Sequence, residues 1–392
     1  MACFPPAMFA EPAALPNFGA TDHSVVHLLS DLQIGGKQRA ALRLAERGLA
    51  AGGRHELWLF DKPFRSHELD FDPGAVPIHF LPRGPGLDLY FLGMLVRGLA
   101  AGGVQAVHAH DDIAIYYAAL AHALLGRRAP RVVGTFHTWP GYGPPAVRFL
   151  ARWASGQTDA VAAVSDELAR RLVEQGWLKC CHTVWNGIDL DLFRPGSDDG
   201  SWHRRLGLAP DAPLVVHLAR FHCVKRHADL LEAARLVHRA CPGVAFVLAG
   251  RGPTLAATQE LARDLGCVHF VPHVTDVAAL LRATSVFVLP SEHEAAPLAL
   301  LEAMACSRAC VCTAVGGMPA MLTDGLGASC GALVSPGDPA ALAASITQLL
   351  GDPGLRAELG RRARAAAARF SFAREWEAYH RLYAGETPSL TV

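Results

Sequence analysis

The chain has no excess of charge of either sign, and that excludes the partners a strong field would attract. Its 36 basic and 36 acidic residues cancel over 392 positions, so no global potential draws it to nucleic acid or to an anionic membrane surface. Aromatic and basic residues do not interleave as a nucleic-acid-binding surface requires. Long apolar runs are missing too: the most hydrophobic helical pattern, residues 87–101, contains Asp88 and Arg97 and is too short to span a bilayer. The first twenty residues hold Phe, Pro and Ala but no Lys or Arg, so the charged start of a signal peptide is absent. Any membrane contact is therefore expected to be peripheral.

Paired cysteines are lacking as well. The ten cysteines are scattered from Cys3 to Cys330, which excludes a disulfide framework and reads as a reducing compartment, the cytoplasm by default. Cys306, Cys310 and Cys312 lie close together without the C-x2-C partners of a zinc site, and Cys310 and Cys312 share one face of an apolar strand pattern. They read as buried thiols. No G-x-S-x-G elbow, P-loop or H-E-x-x-H motif is read, so hydrolase, kinase and zinc-protease readings have no anchor. A complete G-x-G-x-x-G is also missing, since "GRGPTL" from Gly250 ends on Leu255, and this weakens a dinucleotide-dependent oxidoreductase.

What is present is an α/β chain. Hydrophobic residues make up 51% and charged residues 18%, enough to fold most of the length, and 392 residues exceed what one core usually organises. Strand patterns at 24–29, 55–60, 77–81, 104–108, 131–136, 160–164 and 183–185 alternate with helical ones such as 37–50, 113–125 and 166–174. Residues 186–211, rich in Gly, Asp and Pro, read as a linker. A second alternating set follows, with strands at 214–218, 244–249, 268–271, 285–289 and 309–313. Such alternation predicts two Rossmann-like domains with parallel sheets facing a central cleft. The expected bounds are a tail at 1–22, domains at 23–188 and 213–370 joined by 189–212, and a terminal helix within 371–392.

Ligands of open α/β sheets bind beyond the carboxyl ends of the strands, which singles out a few loops. In "SVFVLPSEHEAAPLALLEAMAC" (285–306) a strand, a loop and a helix follow one another. Pro297 is expected at the first helical position, with the free amides after it forming a phosphate site. Glu294 and Glu302 bracket that site; carboxylates beside a phosphate suit hydroxyls, as on ribose or a sugar. Arg220 and Lys225 follow another strand end. Cations are unfavourable near a helix start, so the two read either as solvated or as converging on one diphosphate. Gly35 and Gly36 precede a helix, as an ordinary turn or as a close backbone approach. His137 ends a strand, where a neutral imidazole could meet a sugar or phosphate. His108 and His110 lack an obvious third ligand for zinc, and no metal site is expected.

These residues resemble a known family: the retaining, nucleotide-sugar-dependent glycosyltransferases of the GT-B fold, specifically glycosyltransferase family 4. The resemblance runs from about Val25 to Tyr383. Its most specific part is "PSEHEAAPLALLEAMAC", similar to that family's E-x7-E segment, followed by "AVGGMPAML". "GGKQR", "VVGTFHTW", "DAVAAVSDEL", "VWNGIDLDLFRP", "LARFHCVKRHADLLEA" and "VLAGRGP" support it.

The resemblance implies that Arg220 and Lys225 bind the donor diphosphate and that Glu302 bonds the ribose hydroxyls. It implies that Glu294 faces the transferred sugar, with Ala296, Pro297, Leu298 and Ala299 on the phosphate side. His137 would contact sugar or phosphate, with Gly35, Gly36 and Gly250 near the donor. The implied partners are a nucleotide-sugar donor, as substrate with no cofactor, and a glycan or glycolipid acceptor; the implied place is the cytoplasm or the inner face of the membrane. Arg148, Phe149, Arg152 and Trp153 read either as a membrane-facing patch or as an ordinary amphipathic helix.

The sequence departs from the family at Ala295 and Arg226, where Gly is common. Ser307 also stands where Gly is usual, and Ala320 replaces a frequent acidic residue. A sugar-nucleotide epimerase or phosphorylase of the same architecture, or a catalytically degenerate partner subunit, stays open at this point.

Overall fold

A computed structural model of the chain describes residues 24–32, 35–61, 74–101, 103–140, 149 and 152–386. The expected tail at 1–22 and Arg148 lie outside the described residues. Seven strands form the first sheet: β1 Ser24–Leu29, β2 Arg54–Leu59, β3 Ile78–Phe80, β4 Ala106–Ala109, β5 Arg131–Phe136, β6 Ala160–Ala163 and β7 His182–Thr183. Six form the second: β8 Leu214–Leu218, β9 Ala245–Ala249, β10 Val268–Val271, β11 Val286–Leu289, β12 Ala309–Thr313 and β13 Ala332–Val334. Their orders are β3-β2-β1-β4-β5-β6-β7 and β10-β9-β8-β11-β12-β13, and the paired strands run parallel. Strands buried on both faces explain the near-continuous apolar runs; β1, β4, β6, β9, β11 and β12 are buried along their whole length.

In each sheet the chain reverses direction beside its first strand, β1 against β4 and β8 against β11. These switch points open a crevice at the carboxyl ends of the strands. Helices leave the crevice with side-chain caps that fix where they start. Asp111 accepts from the Ala114 amide at 2.8 Å at the head of helix Asp112–Leu125, and Ser165 accepts from the Leu168 amide ahead of helix Asp166–Glu174.

Three local expectations differ from the structure. The Gly/Asp/Pro-rich linker contains a helix, Ser201–Leu206, set between left-handed Gly200 and Gly207. Trp202 drives it, packing buried among Leu214, Val247 and Leu280. Strand β13 has no clear sequence pattern because it is three residues long and, among the described residues, pairs with β12 alone. The pattern read at 183–185 is shifted, with β7 at His182–Thr183.

Helix Phe372–Ala384 lies on the first domain, where Tyr379 and Tyr383 are buried among Val25, Val133 and Ala162. Ser371 bridges Ile188, and Glu375 accepts from the Gly187 amide at 2.9 Å. Among the described residues no helix is long and apolar enough to cross a membrane. Phe149, Arg152 and Trp153 are exposed.

Candidate active site

A cleft of about 890 Å³ lies where the two switch points face each other. Its wall contains Gly35, Gly36, His137, Arg220, Lys225, Gly250, Glu294, Ala296, Pro297, Leu298, Ala299 and Glu302. All the candidate residues are thus brought together. The volume is within the range of small-ligand sites.

The loop after β11 is clamped from several directions. Lys225 Nζ pairs with Glu294 Oε1, and the Ser291 hydroxyl donates to the same oxygen at 2.9 Å. The Glu292 amide donates to the Val224 carbonyl at 2.8 Å, joining this loop to the 3-10 turn Cys223–Lys225. Gly316, at φ 55°, lies so close against the Glu294 carbonyl that a β-carbon would collide with it. The Gly317 amide donates to the Ala295 carbonyl at 2.9 Å. From the first domain, Asn186 Nδ2 donates to the Ala296 carbonyl at 2.8 Å.

Helix Leu298–Ala305 follows, its N-terminus in the cleft wall. Pro297 is the residue before the helix rather than its first member: it is extended, at φ −70° and ψ 121°, and its carbonyl accepts from the Leu300 and Leu301 amides at 3.2 and 3.4 Å. The amides of Leu298 and Ala299 precede that first helical bond, as expected of an anion-facing end. Glu302, one turn further and 3% exposed, accepts from Arg39 Nη1 at 3.1 Å.

Arg220 is exposed in the cleft and makes no side-chain hydrogen bond or ion pair with the described residues. Gly250 has φ 135°, and a β-carbon there would strike the Ala219 carbonyl. This close approach seats the Arg220 loop, whose Phe221 amide donates to the Arg251 carbonyl at 2.8 Å.

On the opposite wall, burial first and then the Lys37 charge hold the His137 pKa down at about 3, so its imidazole is neutral. Lys37 pairs with Asp111 at 2.9 Å. Burial alone would raise the Asp111 pKa, but Lys37 and the Ala114 and Ser30 amides outweigh it and hold it below the usual carboxylate value.

A cleft with two cations, a helix N-terminus and two carboxylates is suited to an anion that carries hydroxyls. Comparison with known proteins agrees. The profile of "Glycosyl transferases group 1" matches residues 198–366, and that of "Glycosyltransferase Family 4" matches residues 34–192. N-acetyl-alpha-D-glucosaminyl L-malate synthase of Bacillus anthracis is 30% identical over 82% of this chain and 85% of its own. The chain belongs to the group 1 glycosyltransferases.

D-inositol 3-phosphate glycosyltransferase of Mycobacterium tuberculosis is likewise 30% identical, over 95% of this chain and 79% of its own. The GT-B fold is shared with Anabaena HepE, solved in complex with UDP-glucose, at a TM-score of 0.80 and 20% identity over 92% of this chain and 99% of HepE.

Within this glycosyltransferase the departures from the family's glycines acquire a geometry. Arg226 and Ser307 are the non-glycine residues with positive φ among the described ones, at 52° and 59°. Both stand where Gly is common because both positions are left-handed. Ala295 is not among them, so its methyl group meets no backbone conflict.

Lys37 and Arg39 join the cleft wall from the first turn of helix Gly36–Ala50, beyond the residues expected from sequence. Like Arg220 and Lys225, they are cations at a helix start, where an anion is wanted. Asn186, Trp139 and Arg171 also line the cleft, with the Arg171 guanidinium 4.1 Å over the Trp139 ring. No spacing marked them, because three separate elements supply them.

His108 and His110 do find a third imidazole, His27 of β1, with the ligand atoms of all three within 4.8 Å. Yet both nitrogens of His27 and both of His108 already have partners. Residues 327–331 spell G-x-S-x-G, but strand β13, not a helix, comes next, and Ser329 bridges Thr323. It is no nucleophile elbow. Cys306, Cys310 and Cys312 are buried free thiols.

Proposed function

We propose that this glycosyltransferase moves a sugar from a UDP- or GDP-linked donor to a hydroxyl acceptor with retention at the anomeric carbon. The observation that carries the reading is the convergence of Arg220, Lys225, the N-terminus of helix Leu298–Ala305 and buried Glu302 on one cleft. The UDP-glucose bound by HepE, a protein of the same fold, supports the same class of donor.

In this reading Arg220, Lys225 and the Leu298 and Ala299 amides hold the diphosphate, Glu302 takes the ribose hydroxyls, and Glu294 faces the sugar. His137 and Gly36 approach from the other wall. The bond from the anomeric carbon to the diphosphate oxygen breaks as the acceptor oxygen bonds to the same face. The acceptor proton passes to the departing phosphate. Glu294 is tied to Lys225 and serves orientation rather than nucleophilic attack. Preorganised cations stabilise the leaving charge without reorganisation, so no metal ion is required; full activity in chelator tests that point.

The acceptor is a glycan or glycolipid in cell-surface synthesis, and a glycolipid would bring the protein to the inner face of the membrane. Calorimetric titration with UDP-, GDP- and ADP-sugars tests the donor. Binding of a UDP- or GDP-sugar is expected, and binding of none would overturn the reading.

A further inference from the structure

Four imidazoles form an unbroken hydrogen-bonded line through the first domain, starting at the cleft. His137 Nε2 lies 3.4 Å from His110 Nδ1, His110 Nε2 lies 3.1 Å from His27 Nδ1, and His27 Nε2 lies 3.0 Å from His55 Nδ1. His27, His55 and His110 are at most 2% exposed. Burial, followed by neighbouring imidazoles, holds His27 and His110 well below the ordinary histidine pKa. At its far end His55 lines a cavity of about 30 Å³ under Trp376 and Tyr383 of the terminal helix, large enough for a water.

A neutral imidazole has one N–H and one lone pair. Every link here joins Nδ1 of one ring to Nε2 of the next, so the choice made by one ring constrains its neighbours. Only two arrangements satisfy all three links. With every proton on Nε2, His137 donates to His110 and offers a lone pair at Nδ1. With every proton on Nδ1, His137 accepts from His110 and offers an N–H instead. Any mixture sets two N–H groups or two lone pairs against each other in a buried site, forfeiting a hydrogen bond. His137 Nδ1 has no hydrogen-bond partner among the described residues, and His137 lines the cleft. The His108 ring lies 3.9 Å from that of His110, tilted by 33°, but bonds Tyr383 and Thr135, so it supports the line without being a link.

We propose that His110, His27 and His55 are positioning residues that set the tautomer of His137, and that donor binding switches the four rings together. In the free protein Nδ1 keeps its lone pair; a phosphate or sugar oxygen placed there favours the N–H. The second half of the proposal rests on the nucleotide-sugar reading, whereas the first half does not.

Protein labelled with [15N]histidine tests both halves, because two-bond 1H–15N correlations separate Nε2–H from Nδ1–H rings. One shared tautomer is expected for His55, His27, His110 and His137 in the free protein, converting together when UDP or GDP, whichever calorimetry shows to bind, saturates the cleft. In His27→Gln, His137 should lose that shared state. Its kcat should fall by about tenfold or more, as when an orienting group is lost, while the donor KM stays within about twofold. His55→Asn, gentler on the core, should shift the His137 tautomer in the same direction. Neighbouring rings with opposed tautomers, a His137 signal unchanged in both variants, or one equivalent of transition metal retained by the purified protein would each overturn the chain. Those results leave transfer activity standing. Absence of both UDP and GDP binding by calorimetry instead defeats the donor reading and leaves the free-protein spectra as a complete test of the chain.

Discussion

Arg39 and Glu302 clasp each other across the cleft, Nη1 to Oε1 at 3.1 Å, although 263 positions separate them in sequence. Arg39 belongs to helix Gly36–Ala50 of the first domain and Glu302 to helix Leu298–Ala305 of the second. The carboxylate assigned to the ribose is thus also a point at which the two domains hold each other.

A double-mutant cycle of Arg39→Ala and Glu302→Ala, read by urea unfolding, is therefore expected to show coupling. The Arg39 side chain is 39% exposed, so the coupling should be only about 1 kcal/mol. Saturating UDP or GDP, whichever binds, should reduce it as the ribose hydroxyls take the carboxylate. Additive single-mutant effects without UDP would contradict the clasp.

Stability should fall steeply in mild acid. His27, His108, His110, His137, His217 and His227 all have folded pKa values below the ordinary one, chiefly through burial, with His137 at about 3, His217 at about 4 and His227 at about 2. Below about pH 6.5 the unfolded chain binds protons that the folded chain refuses, so each group removes up to about 1.4 kcal/mol per pH unit. Glu375 acts in the opposite sense. Burial raises it to about 7 despite Arg43, so its contribution is present at low pH and lost as pH rises through 7. Unfolding near pH 5.5 should take up about five protons net, measurable from the pH dependence of urea unfolding. A flat profile between pH 5 and 6.5 would contradict the buried neutral imidazoles.

Ser307→Gly should stabilise the fold by about 1 kcal/mol, since Ser307 sits at φ 59° and glycine pays no steric penalty there. Arg226→Gly relieves the same strain but also removes the 2.9 Å pair with Asp229, so a smaller gain is expected. Thermal unfolding of the two variants checks both.

The alternation of strands and helices made the two sheets legible, because parallel strands buried on both faces leave long apolar runs that cannot be mistaken for exposed ones. The cleft residues of the second domain were legible for a related reason: Arg220, Lys225 and Glu294 lie in loops that follow strands, and Glu302 in the helix that such a loop leads into, where chain order alone predicts ligand contact. Residues supplied across the domain gap were not. Arg39 acquires its meaning only from Glu302, and Asn186 only from the Ala296 carbonyl. The imidazole line was invisible in the same way, since His27, His55, His110 and His137 come from four strands or strand ends and no period connects them. Pro297 misled by one position, because its φ suits both the residue before a helix and the first residue within it, and only ψ separates the two.

The most direct measurement is single-turnover transfer by Lys225→Ala with the donor that calorimetry identifies. Losing one preorganised cation at the leaving diphosphate should slow transfer by about 10²–10³, equivalent to roughly 3–4 kcal/mol, with the urea midpoint close to wild type. Transfer at the wild-type rate would contradict the account.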